Sequence, residues 1–362
     1  MDNINDDWES FLQNDFETIT VNTEQNNLKI SENNPNDEQL RNMNNIPKCT
    51  DIYISTKTKI SYLNKNQIDI KNIFWKVPIL QYSKPENGVI KKEVKYSSTA
   101  PEELDFIDDQ LKNESCSEVQ IIEHIDNPEG RIKFKDQRKI SVGICKKDIL
   151  SYRSKKKRAF FNCFVLIIRL LYNDVFKEMH VKVFNTGKLE IPGIQNDDML
   201  VKLLDEVVKV LKPHIGDDLS YDNSKTDTVL INSNFNCGYY IDRDKLHDIL
   251  KYKYRINSNF DACSYPGIQS KFYYDRTIEG EQNGHQPKHK DYYEVSFMIF
   301  RTGSVLVVGR CDDITLHVIY NFLKKLLYNE CHEIMSSIIT DKDQIIKSRK
   351  KKIRKKTIII NN

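Results

Sequence analysis

Phe184-Asn185-Thr186-Gly187-Lys188-Leu189-Glu190-Ile191-Pro192-Gly193 and Phe300-Arg301-Thr302-Gly303-Ser304-Val305-Leu306-Val307-Val308-Gly309 are two copies of one phrase. Phe, Thr-Gly and the closing Gly recur at one constant offset. In each copy Phe ends an alternating strand and Thr-Gly marks a tight turn. A second strand follows, then an amphipathic helix opened by paired Asp, Asp197-Asp198 and Asp312-Asp313. A strand–turn–strand–helix unit repeated this regularly predicts a pseudo-symmetric fold.

Working outward, both copies sit in larger units of the same order. In the first, a strand begins at Asp51 and a short helix starts near Asp69 and ends at Val77-Pro78, because the residue before Pro avoids helical geometry. An apolar strand, Phe160–Tyr172, leads into Phe176–Phe184, Leu189–Ile191 and a helix from Asp197 to Leu211. That helix shows Leu200, Leu203, Leu204, Val207, Val208 and Leu211 at helical spacing, and Pro213 is expected to stop it. The second unit reads Thr228–Asn236, a helix over 243–252, Ile268–Tyr274, Glu294–Phe300, Val305–Val308 and a helix over 313–328. Each unit is strand, helix, three strands, helix. Antiparallel strands with helices on one face make an α+β fold: two pseudo-symmetric repeats sharing one sheet, whose second face is left open for function.

Four segments organise the 362 residues. Residues 1–47 carry ten acidic and two basic residues and read as a disordered acidic tail, with one aromatic island, Trp8, Phe11 and Phe16, suited to docking on a partner or on the open face. Residues 48–216 form the first repeat, with a charged insertion at about 83–145. Alternation over 132–144 suggests that this insertion rejoins the sheet. Residues 217–338 form the second repeat, and 339–362 a basic tail, with eight Lys or Arg between 347 and 356. Net charge is only +3, so the acidic head and basic tail are the electrostatic statement. The eight cysteines are scattered without CxxC spacing, which predicts reduced thiols and neither a disulfide framework nor a zinc site. No apolar run is long enough to span a bilayer.

The doubled Phe-x-Thr-Gly hairpin, together with Ser264-Tyr265-Pro266-Gly267-Ile268 before a strand, resembles the TATA-box-binding-protein-like proteins of large DNA viruses. The runs Phe160–Arg169 and His180–Gln195 resemble them most. The resemblance covers about residues 48–335. It implies one curved antiparallel sheet, a saddle with helices on its convex side. Its concave face would sit on the minor groove of AT-rich duplex DNA, where Phe pairs wedge between base steps and bend the helix. It implies recruitment of RNA polymerase and a TFIIB-like initiation factor, no cofactor, and a setting in an infected host cell.

Carried onto this chain, Phe184 and Phe300 match the hairpin wedge positions, and Tyr265 and Phe161 the second wedge of each pair. Arg169 matches a phosphate contact, with Lys271 as its counterpart in the second half. Strand parity places Lys182, Glu190 and Pro192 beside Phe184, and Met298, Leu306 and Val308 beside Phe300. The second half is thus the apolar surface an A·T groove favours, while the first carries charge. A short turn at 185–187 sets Lys182 opposite Glu190, where a cross-strand pair would neutralise the carboxylate. The paired Asn of the family's groove floor have only partial matches, Asp51 in the first half and Leu230 or Asn232 in the second. A scaffold that kept the fold and lost groove binding is the alternative these departures favour.

The basic cluster at 153–158 and the C-terminal run are suited to phosphates without sequence preference. His285 and His289 lie in a Pro-containing loop, and Cys331-His332 stands alone, so neither predicts a metal site. No nucleophile motif, Walker loop or HExxH appears, which leaves an enzyme reading without a catalytic constellation.

Overall fold

The computed structural model describes residues 47–114, 116–150 and 160–336. The expected acidic head, the 153–158 cluster and the basic tail lie outside these. Twelve strands, β1 (Tyr53–Tyr62), β2 (Gly88–Ser98), β3 (Ser117–Asp126), β4 (Phe134–Gly143), β5 (Cys163–Tyr172), β6 (Val175–Phe184), β7 (Lys188–Ile194), β8 (Asp227–Asn236), β9 (Asn257–Asn259), β10 (Gly267–Asp275), β11 (Tyr292–Phe300) and β12 (Ser304–Gly309), form one sheet. Its order is β3-β4-β2-β5-β6-β7-β1-β8-β12-β11-β10-β9, with every pairing antiparallel.

This order contains the repeat. From the central β1–β8 pair outward, one half runs β1-β7-β6-β5-β2 and the other β8-β12-β11-β10-β9. The second half stops there, while the first continues through β4 and β3. The charged stretch 83–145 is therefore divided. β2, inside it, holds the place beside β5 that β9 holds beside β10. The added elements are α2 (Glu102–Leu111), β3 and β4, which extend one edge of the sheet, with the short helix α3 (Lys146–Leu150) after β4.

Each half has its own core on one side of the sheet. The first joins Phe164, Leu166, Val181, Val183, Leu189 and Ile191 to α1 (Ile70–Lys76) and α4 (Asp197–Ile215). The second joins Ile231, Phe235, Phe272, Phe297, Val305 and Val307 to α5 (Arg243–Asp248, continued as a π turn over Ile249–Lys253) and α6 (Asp313–Asn329). Burying side chains of this size contributes roughly 1.5–3 kcal/mol each. Both long helices start on side-chain caps, Asn196 accepting from the Met199 N–H at 2.9 Å and Asp312 from the Thr315 N–H at 2.7 Å. Lys59 and Lys57 of β1 then reach Asp197 and Asp313, both at 3.2 Å. The first long helix runs through Pro213 rather than stopping before it. Proline's φ is already helical, so near a C-terminus it costs one backbone hydrogen bond, and Gly216 ends the helix instead.

The turn of the repeated phrase folds alike in both copies. Gly187 (φ +76°) and Gly303 (φ +80°) are left-handed, and their N–H groups donate to the Phe184 and Phe300 carbonyls, each at 3.0 Å. A side chain at either would also strike backbone, the Lys65 carbonyl in one half and that of Tyr239 in the other. Both requirements select glycine.

Candidate nucleic-acid interface

Pairing register separates the two faces. The residues opposite the core positions alternate onto the other side: Cys163, Val165, Ile167 and Arg169 on β5, Lys182 and Phe184 on β6, Glu190 on β7, Thr56 on β1, Asn232 on β8, Leu306 and Val308 on β12, Met298 and Phe300 on β11, and Gln269 and Lys271 on β10. Phe184, Phe300, Met298 and Val308 belong to neither helix-backed core.

In the second half five expected residues come together. Met298 lies opposite Leu306, and Ser296 opposite Val308. The Tyr265 and Phe300 rings pair with centroids 5.9 Å apart, and the Tyr265 hydroxyl donates to Met298 Sδ at 3.7 Å. A Cβ at Gly267 would lie 3.0 Å from the Phe300 ring and 3.1 Å from that of Tyr265. The Tyr-Pro-Gly sequence thus clears space for the aromatic pair. Burial pushes the Tyr265 phenol up to about 12, so it stays a neutral donor at physiological pH. At the centre Asn232 faces Thr56 and Val308. Its Nδ2 donates to Thr56 Oγ1 at 3.2 Å, while its Oδ1 has no partner in the described structure. Asn232 thus lies on the face opposite the second helix-backed core. Asp51 precedes β1, is exposed, and does not reach the floor.

In the first half Phe184 has a partner that sequence spacing missed. Phe184 pairs with Phe160, centroids 6.3 Å apart, whereas Phe161 is 40% exposed and carries the Lys95 ammonium 3.9 Å over its ring. Phe160, not Phe161, thus occupies the place of Tyr265. The strand begins at Cys163 rather than Phe160, which frees both aromatics from strand parity. Lys182 and Glu190 pair directly across β6 and β7 at 2.8 Å, as the turn length predicts. Lys182 also lies 5.3 Å from the Phe160 ring centre and Lys188 5.0 Å from that of Phe184. Where the second half is apolar, the first is a charged and aromatic mosaic. Phe184 and Phe300 are each 9% exposed, Met298 1% and Val308 3%; all four are buried on the face opposite the helix-backed cores.

Arg169 is not placed to hold phosphate. It is 7% exposed, and its guanidinium donates to the carbonyls of Tyr82 (2.7 Å), Glu86 (3.3 Å), Gln81 (3.5 Å) and Lys84. The segment 81–86 folds around this one cation. Leu80 and Tyr82 pack with Ile90, Cys145 and Ile167 beside it, and Lys91 binds Asp148 at 2.8 Å. Burial opposes the Lys91 charge, but Glu93 and Asp148 outweigh it and its pKa rises. The outer open face of the first half is therefore covered by the chain itself. Lys271 is not the counterpart of Arg169 either: Lys271 lies opposite Ser296, whereas Arg169 lies opposite Glu178. Adding the hairpin offset to 178 gives Glu294, which faces Tyr273. Lys271 pairs with Glu294 at 2.6 Å, and this hydrogen bond raises its pKa.

No family model matches the chain. A curated relative, the "TATA-box-binding protein-like" protein of Acanthamoeba polyphaga mimivirus, is 23% identical over 196 residues, 49% of this chain and 52% of the relative. The chain thus matches about half the length of that relative. Among solved structures, the Methanococcus jannaschii TBP superposes with a TM-score of 0.40 at 11% identity, covering 77% of this chain and 99% of that one. No helix among the described residues is long and apolar enough to cross a membrane. With its α+β fold of two repeats in one antiparallel sheet, the chain resembles the TATA-box-binding-protein-like proteins of large DNA viruses.

Proposed function

We propose that this chain is a transcription initiation factor that binds AT-rich duplex DNA in the minor groove through its open face, mainly with the second half, and presents RNA polymerase and a TFIIB-like factor with a marked promoter. One observation carries the reading. Tyr265, Met298, Phe300, Leu306 and Val308 gather on the face that no long helix covers. An A·T minor groove offers acceptors and almost no donors, so an apolar surface with few polar atoms suits it. Unstacking a base step costs a few kcal/mol, recovered by the wider contact a bend allows. The Tyr265–Phe300 pair must open for a ring to enter the stack. Competition tests the reading: a minor-groove ligand should displace the protein from AT-rich duplex, whereas a major-groove ligand should not. Displacement only by the major-groove ligand would refute it.

The scaffold reading is favoured by the same first-half features, the Lys182–Glu190 pair and the commitment of Arg169 to its own loop. It predicts no duplex binding above the sequence-independent electrostatic background.

A further inference from the structure

The added edge of the first half has no part in a groove-binding sheet. Among the described residues its outermost strand, β3, pairs only with β4, so every second residue along its ten turns N–H and C=O outward without a strand partner. Ile121 (57% exposed), Val119 (39%) and Ile122 point from it, and Phe106 and Ile132 are exposed nearby in sequence. Residues 101–126 hold nine carboxylates against Lys112 alone. A long exposed edge invites a strand. Glu123 is paired with Lys135 at 2.8 Å, but Glu118 and Asp126 repel a second copy of the same edge and attract a basic strand.

We propose that β3 is a β-augmentation site for the C-terminal basic run of a second copy of this chain, residues 347–360. That run has eight Lys or Arg in 347–356, with Ile353 and Ile358–Ile360 able to meet the exposed Ile and Val. Reach selects the neighbouring copy. Met335 is tied by a bridge to Ile241, whose N–H bonds the Arg301 carbonyl beside β12. Eight strand steps separate β12 from β3, about 38 Å at the usual spacing of about 4.8 Å. The eleven residue-to-residue steps from Ser336 to Lys347 span about 36–40 Å fully drawn out. The run of the same molecule would have to be nearly straight, whereas a neighbour's meets β3 without that cost. Reciprocal contacts would give a closed two-fold dimer.

Sedimentation of the full chain without nucleic acid tests this. The expected result is a dimer at low salt that dissociates as salt rises. Two variants, Lys350→Ser/Lys351→Ser/Lys352→Ser in the run and Glu118→Lys/Asp126→Lys on the edge, should each weaken self-association at least tenfold. Mixing them should restore a heterodimer, since one supplies the intact edge and the other the intact run. Hydrogen exchange should show β3 amides protected only in the associated state. A full chain that stays monomeric, variants that associate like the parent, or β3 exchange unchanged on association would each overturn the proposal.

Discussion

Two cases show how far residue type alone misleads on this face. Arg169 has the sequence of a phosphate contact and the position of a keystone: buried, it organises the carbonyls of 81–86. Hydrogen bonds to a charged donor contribute about 1.5–3 kcal/mol, and an orphaned buried carbonyl costs about 1–3 kcal/mol. Arg169→Met should lower unfolding free energy by about 3 kcal/mol in urea titrations while leaving duplex affinity at physiological salt within about twofold. A large loss of affinity at unchanged stability would restore Arg169 to the phosphate-contacting set. Phe160 and Phe161 make the second case. Alternation supports neither over the other, because the strand begins three residues later; the pairing with Phe184 chooses Phe160. Duplex bending should accordingly weaken in Phe160→Ala more than in Phe161→Ala, as read by energy transfer between end-labelled dyes.

At the scale of elements, both long helices were legible from their Asp-Asp openings and apolar spacing because burial and capping act locally. Asp312→Ala should remove about 1 kcal/mol, measured as a lowered thermal midpoint, since Asp312 holds the Thr315 N–H. β2 was less legible: its strand runs through charged residues that are satisfied on the sheet instead of in water. Glu93 lies between Lys139 (2.7 Å) and Lys91 (3.2 Å). Burial alone would raise its pKa, but the two ammonium groups pull it down to about 2. The folded value lies below the unfolded one, so the unfolded chain binds the proton more readily. The stabilisation is full above about pH 4.5 and is lost as pH falls toward about 2, on the order of 3 kcal/mol in all. Acid titrations of stability should be shallower in Glu93→Gln than in the parent; equal slopes would contradict this assignment.

For the whole molecule, the repeat decided the architecture. Two copies of one hairpin, each needing a left-handed glycine, place both halves in one sheet. What the repeat could not reveal was divergence between the halves. The segment around Arg169, the added β3 and β4 edge and the Lys182–Glu190 pair belong to the first half. The first two depend on contacts between residues far apart in sequence, which local patterning does not encode. The consequence is an asymmetric face: an apolar second half and a first half partly closed by its own chain.

That asymmetry is tested most directly by energy-transfer measurement of duplex bending on one AT-rich site, comparing the parent with Phe300→Ala and Phe184→Ala. The account predicts a bent complex, with bending abolished by Phe300→Ala while binding persists, and a smaller change in Phe184→Ala. A parent complex that binds without bending, or bending lost equally from both halves, would contradict it.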